Sequence, residues 1–184
     1  MPDSNEDPGL RPHLVVLTGL PGTGKSTIAG FAARRLRAAL LTVDSIEASL
    51  WRAGISRHEP TGLAAYAIAQ TTAESALRAG SSVVADAVNA ASDAREEWRR
   101  AAERTRSALR VVEVVCSDLD EHRRRIESRR ADSAYPDAGA WHQIRSCRFE
   151  PWTLPQPRLV LDTARMTELE CERALLRFLP AARG

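Results

Sequence analysis

The sequence predicts an α/β protein with a five-stranded parallel sheet and helices packed on both faces. Five short apolar runs of strand length alternate with segments whose apolar residues recur at helical spacing. That alternation calls for a parallel sheet covered on both sides, with ligands at the carboxyl ends of its strands. The first run also ends at a glycine-rich turn that opens directly into a helix. With 184 residues, 43% hydrophobic and 27% charged, the chain has ordinary globular composition and the size of one domain.

Taken in order, residues 1–12 form a tail rich in Pro, Asp and Asn, expected to be mobile, and residues 13–184 form the domain. His13 to Thr18 is a buried strand, and a helix runs from Gly24 to Ala39 with Ile28, Phe31, Ala32 and Leu36 at helical spacing. Leu40 to Val43 is a second strand and Ser45 to Ala53 a helix. After a loop containing Pro60, Leu63 to Ala79 is an Ala-rich helix stopped by Gly80. Ser82 to Ala85 is the third strand. Ser92 to Ser107 is a charged helix with Asp93 and Glu96 near its start, where negative charge suits the dipole. Val111 to Cys116 is the fourth strand. Asp118 then opens a helix, with Glu121 placed for a capping box. That helix carries Arg123, Arg124, Arg125, Arg129 and Arg130. A turn-rich break over 133–139, a short helix over 140–149, a fifth strand from Arg158 to Asp162 and a closing helix from Thr167 to Leu179 complete the chain.

Composition excludes several classes of function. A net charge of +2 gives no overall pull toward nucleic acid or a membrane. No apolar run reaches the ~18–20 residues of a membrane span. The acidic, polar start from Met1 to Pro8 is not a signal peptide. Three cysteines, Cys116, Cys147 and Cys171, are odd in number and widely spaced, which argues against a disulfide framework or a zinc site and suits the cytoplasm.

The strongest motif is Gly19-Leu20-Pro21-Gly22-Thr23-Gly24-Lys25-Ser26-Thr27, a complete G-x-x-x-x-G-K-[ST] match between a strand and a helix. Its glycines let successive backbone N–H groups turn inward around anionic oxygens, and the new helix adds its positive end. Lys25 places a charge on the β- and γ-phosphates, and the Ser26 hydroxyl suits Mg²⁺. Lys25 is the only lysine in a chain whose other basic residues are all arginine. Most of those arginines read as solvated surface.

With this loop, Val43-Asp44-Ser45-Ile46, Val84-Ala85-Asp86-Ala87-Val88-Asn89 and the Arg-rich helix 123–130, the chain resembles the P-loop kinases. The group it resembles holds chloramphenicol phosphotransferase, the kinase domain of polynucleotide kinase and zeta-toxin-like kinases. The resemblance runs from about Leu14 to Asp162. It implies the P-loop NTPase three-layer sandwich with strand order 2-3-1-4-5 and an Arg-rich lid over about 123–140. It also implies Mg²⁺ and a phosphate donor, with ATP and GTP equally compatible.

Asp44, just past the second strand, should face the same end of the sheet as the loop. A carboxylate there can take the proton of an attacking hydroxyl, and the matching aspartate is that base in the phosphotransferase and polynucleotide kinase families. A helix N-cap is its other reading. Asp86, ending the third strand, is placed to hold Mg²⁺ or orient the acceptor, and Asn89 to hydrogen-bond the acceptor. Arg125 and Arg129, four apart on one face, match the lid arginines that clamp the transferring group. The acceptor region is 45–80, with Trp51, Arg52, Arg57, His58, Tyr66 and Gln70 as candidates. Thr163 to Arg165 would adjoin the nucleotide base. Trp141, Phe149 and Trp152 read as a small hydrophobic cluster, with base stacking as the alternative.

The reading that follows is transfer of the γ-phosphoryl group of an NTP to a hydroxyl of a small molecule, an antibiotic or a nucleoside in its sharper form. Gly19, Gly22, Thr23, Gly24, Lys25, Ser26, Thr27 and Arg125 would bind the nucleotide. Ser26 and Asp86 would hold the metal, and Asp44, Asp86, Asn89 and Arg52 would meet the acceptor. Glu47 stands where the polynucleotide kinase pattern has an arginine, which argues against gripping a phosphorylated nucleic-acid end. A polynucleotide 5′-hydroxyl kinase is the second reading, and an NTP-binding switch without an acceptor the third. No membrane partner is expected, and the oligomeric state is open.

Overall fold

The computed structural model describes residues 11–131, 141–150 and 155–181, apart from the side chains of 130 and 131. The elements are β1 (His13–Thr18), α1 (Lys25–Leu36), β2 (Ala39–Thr42), α2 (Val43–Arg52), α3 (Thr61–Arg78), β3 (Val83–Asp86), α4 (Ser92–Arg104), β4 (Ala108–Val115), α5 (Leu119–Ala131), α6 (Trp141–Ser146), β5 (Arg158–Asp162) and α7 (Glu168–Phe178). All strands are parallel and their order is β2-β3-β1-β4-β5, as expected.

Alternation along the strands sorts side chains into two cores. Leu14 and Val16 of β1, with Val83 and Ala85 of β3, face α3 and α4, where Ala65, Ala69, Ala73, Leu77 and Trp98 are buried. Val15, Leu17, Val84, Val112, Val114 and Leu161 face α1 and α7, meeting Ile28, Ala32, Cys171 and Leu175. The near-continuous apolar strands follow from burial on both faces. Small alanines at four-residue spacing let α3 lie close to the sheet.

Several boundaries differ from expectation. Pro12 is already engaged, its carbonyl accepting from Ala108 N at 2.9 Å; residues 1–10 lie outside the described residues. Helix α2 begins at Val43, so Asp44 lies inside its first turn. Helix α6 stops at Ser146, and 147–150 are not helical. There Glu150 N donates to Ala90 O at 3.0 Å, and its carboxylate accepts from Ser92 N at 2.8 Å. That docking uses backbone groups a longer helix would consume. Asp118 does cap α5, its Oδ1 accepting from Asp120 N and Glu121 N. Glu121 instead pairs with Arg124 and Arg125, so the expected box is half formed. A complete capping box stands at Thr167 and Glu170.

Trp98 is the largest fully buried side chain, 0% exposed, and its indole N–H donates to Asn89 Oδ1 at 3.0 Å. Trp98→Ala should destabilise the fold by about 3–5 kcal/mol, because it leaves a cavity and strips Asn89 of a partner. Urea unfolding checks this, and a loss under about 1 kcal/mol would show that Trp98 does not anchor this core.

Candidate phosphate-binding and transfer site

The ends of β1, β2 and β3 assemble the site. Register pairs Asp86 with Leu17 on one side and with Thr42 on the other. The loop after β1 and the start of α2 therefore leave the sheet on either side of Asp86. The loop is anchored at its start, where Gly19 N donates to Val88 O at 3.2 Å and Thr18 Oγ1 donates to the same carbonyl at 3.0 Å. Gly19 has φ +142°, and a Cβ there would collide with the Val114 carbonyl. Gly22 has φ +80°, and a Cβ would come within 2.5 Å of Ile126 Cδ1. Both positions demand glycine by conformation and by space.

Lys25 opens α1 and is only 7% exposed. Its Nζ donates to Leu20 O at 2.9 Å, curling the side chain back over its own loop. Burial pushes its ammonium below the ordinary 10.5, while Asp86 and Asp44 pull it up and Arg129 pushes it further down. Asp86 is 3% exposed and lies near the Ser26 side chain, which favours its charged form. Burial raises its carboxyl above 3.8, against the pull of Lys25. Ser26 and Asp86, paired from sequence as metal ligands, are thus adjacent.

Asp44 is exposed and shares this electrostatic cluster with Lys25 and Asp86. It caps nothing: Thr42 holds the N-cap position of α2, with no side-chain cap bond. Tyr66 of α3 faces the same cluster. Its hydroxyl accepts from Asn89 N at 2.9 Å, and burial raises its phenol above 10.0, with Asp44 and Asp86 adding to the shift.

One expected acceptor contact is corrected. Asn89 is 0% exposed and has φ +50°. Its Nδ2 donates to Leu17 O at 2.8 Å and its Oδ1 accepts from Trp98, so the amide is committed to the core rather than to an acceptor. Arg95 Nε closes the joint by donating to Asn89 O at 2.7 Å. Arg52 is exposed and donates to Ser49 Oγ at 2.7 Å. It lies eight residues beyond Asp44, about 12 Å along the helix at ~1.5 Å per residue.

The two lid arginines separate. Arg125 pairs with Glu121 and donates to Thr163 Oγ1 at 2.8 Å and Thr163 O at 3.1 Å. It braces the loop after β5. Arg129 is exposed and couples electrostatically to Lys25 and Asp86. The lid tip at 132–140 and Trp152 lie outside the described residues. Trp141 and Phe149 form no common cluster: Trp141 meets His122 edge-on at 5.2 Å, and Phe149 lies under Arg95 at 4.8 Å.

Sequence reasoning missed His122. Its Nε2 lies 2.7 Å from Pro21 O, and the residue is 4% exposed. The available signal was spacing, since His122 and Ile126 are the weakly polar pair, four apart, in an otherwise charged helix.

Fold and loop together define a P-loop nucleotide-binding protein with the five-stranded architecture of P-loop kinases. Residues 14–151 match the family described as an AAA domain, and the chain belongs to that family. A Chloroflexus aurantiacus J-10-fl protein, described provisionally as a kinase, is 24% identical, with a TM-score of 0.76 over 92% of this chain and 99% of that one. A gluconokinase from Sinorhizobium meliloti 1021 gives 0.66 at 16% identity over 90% of each chain. The Mycobacterium tuberculosis APS kinase, solved with AMPPNP and APS, gives 0.67 at 20% identity over 91% and 97%. These likenesses establish the fold. None of the curated proteins matches the chain. Among the described residues no helix is long and apolar enough to cross a membrane.

The Asp86 shift has a sign that can be measured. Its folded pKa lies above its unfolded one, so its stabilising contribution is complete below about 3.8 and is lost as pH rises through the raised folded value. In metal- and nucleotide-free protein, Asp86→Asn should remove that slope. A stability difference between wild type and variant that stays flat from about pH 4 to pH 8 would contradict the assignment.

Proposed function

We propose that the chain is an NTP- and Mg²⁺-dependent phosphotransferase that moves the γ-phosphoryl group to a hydroxyl of a small molecule. The observation that carries this reading is Asp44. It is an exposed carboxylate with no hydrogen bond among the described residues, held in the first turn of α2 and within electrostatic reach of Lys25 and Asp86. A protein that only binds or hydrolyses NTP has no use for a base turned toward an acceptor.

The loop amides and Lys25 would hold the phosphates, with Lys25 exchanging Leu20 O for phosphate oxygen. Ser26 and Asp86 would hold Mg²⁺, which when bound would neutralise charge developing on the phosphates. The residues fit. Among the described residues no cluster of three or more metal-ligand side chains occurs, and Mg²⁺ in kinases is held by one or two carboxylates together with substrate phosphates. Asp44 would take the proton of the attacking hydroxyl as the oxygen bonds to the γ-phosphorus and the bond to the leaving diphosphate breaks. Arg129 would stabilise charge on the transferring group.

Support for a small acceptor comes from α2 and the turn after it. Glu47 accepts from Thr61 Oγ1 at 2.8 Å, and Trp51 Nε1 donates to that hydroxyl at 3.0 Å. Arg57 lies over the Trp51 ring at 4.3 Å. This face combines one carboxylate, one indole and one stacked arginine, short of the basic groove a polynucleotide needs. The motif resemblance to chloramphenicol phosphotransferase favours a hydroxylated antibiotic or a nucleoside.

A transfer assay with Mg²⁺ and ATP or GTP tests the reading. Hydroxylated antibiotics, nucleosides and a 5′-hydroxyl oligonucleotide would be screened by mass for an added phosphoryl group. Asp44→Asn should slow transfer by about 10²–10⁴-fold while leaving nucleotide affinity nearly unchanged. Transfer to the oligonucleotide alone would replace the small acceptor. NTP hydrolysis that is indifferent to Asp44→Asn would remove the base. Lys25→Ala should weaken both binding and turnover, and full activity in that variant would contradict the role of the loop.

A further inference from the structure

A peptide unit is planar and trans, so its C=O and the following N–H point in opposite directions. A loop that turns N–H groups inward to phosphate therefore turns the matching carbonyls outward, where they need partners of their own. Two such carbonyls are held from outside the loop. His122 Nε2 lies 2.7 Å from Pro21 O, whose peptide unit carries Gly22 N–H. Thr163 Oγ1 donates to Thr23 O at 2.9 Å, whose peptide unit carries Gly24 N–H.

Both partners are themselves fixed by α5. His122 sits on its buried face, one turn before Ile126, which is 0% exposed and fills the space beside Gly22. Thr163 accepts from Arg125 Nη1 at 2.8 Å. Trp141 of α6 closes the other side of the imidazole.

We propose that His122 and Thr163 form an outer clamp that holds the loop in its phosphate-binding shape, with His122 as a positioning residue acting through the Pro21–Gly22 peptide. A carbonyl oxygen can only accept, so Nε2–H of the imidazole donates the hydrogen bond to Pro21 O. In this role His122 acts only through the loop, and Thr163 acts through its hydroxyl bond to Thr23 O. The clamp also gives α5 a function separate from its arginines, because a shift of the helix reorients two amides of the loop. The inference rests on the nucleotide-binding reading of that loop.

MgADP titration calorimetry tests it without any knowledge of the acceptor. His122→Leu keeps bulk and removes the donor; it should weaken MgADP by about tenfold, the scale of one lost hydrogen bond. His122→Gln restores an N–H at similar reach and should bind within about threefold of wild type. Thr163→Val should weaken MgADP comparably and serves as the independent variant if His122→Leu fails to fold. Thermal unfolding without nucleotide is recorded in parallel. Affinity within twofold of wild type in His122→Leu and Thr163→Val would overturn the clamp, even with lowered melting temperatures. Binding by His122→Gln as weak as by His122→Leu would overturn the donor role. Wild-type protein that binds neither MgADP nor MgATP would overturn the nucleotide reading and the clamp together. Wild-type binding with no transfer to any acceptor would overturn only the phosphotransferase reading.

Discussion

The site depends on one buried joint, the left-handed turn at Asn89. Asn89 reaches three elements at once: Leu17 O on β1, Tyr66 on α3, and Trp98 and Arg95 on α4. Every bond uses a group that would be costly to leave unpaired at 0% exposure. The turn holds Val88 O where Thr18 and Gly19 bind it, and so sets where the phosphate loop leaves β1. It also fixes Asp86, three residues earlier. Asn89 holds φ +50°, a left-handed conformation that asparagine tolerates better than most side chains.

Electrostatics follow from that placement. Lys25 and Asp86 are both buried, and burial disfavours the charged form of each. Each is also the largest opposing influence on the other. The pair is held in a polarised state whose charges have few protein partners beyond Ser26 and Leu20 O. Burial and mutual attraction therefore oppose each other at both groups.

The parts of this design legible in the sequence share one property: they are local. The five strands, the loop and Asp86 declare themselves through short apolar runs and glycine spacing, and these set the strand-end positions. Asp44 was legible as a carboxylate beyond β2, and only its helix position was displaced by two residues. Asn89, Arg125 and His122 were not legible, because the partners that commit them lie far away in sequence. His122 to Pro21 spans 101 residues, and Asn89 to Leu17 spans 72. Residue type indicates what a side chain can bond to, but only the fold decides whether the partner is a ligand or a carbonyl. Asparagine and arginine are especially ambiguous, since the same donors serve either purpose.

The Arg-rich helix shows how far that ambiguity runs. Its composition suggests a uniform cationic lid, yet its side chains divide by position. Arg123 pairs with Glu127, and Arg124 and Arg125 share Glu121. Arg125 is further held by Thr163, which bonds the phosphate loop. Arg129 remains as the lid cation coupled to the Lys25 and Asp86 cluster. Because Arg129 lowers Lys25 and also favours ionised Asp86, it already contributes to the balance that phosphate would complete. Spacing of four placed both arginines on one face, but one turn of rise separates them by about 6 Å. That distance leaves Arg125 bracing the loop after β5 and Arg129 exposed beside the Lys25 and Asp86 cluster.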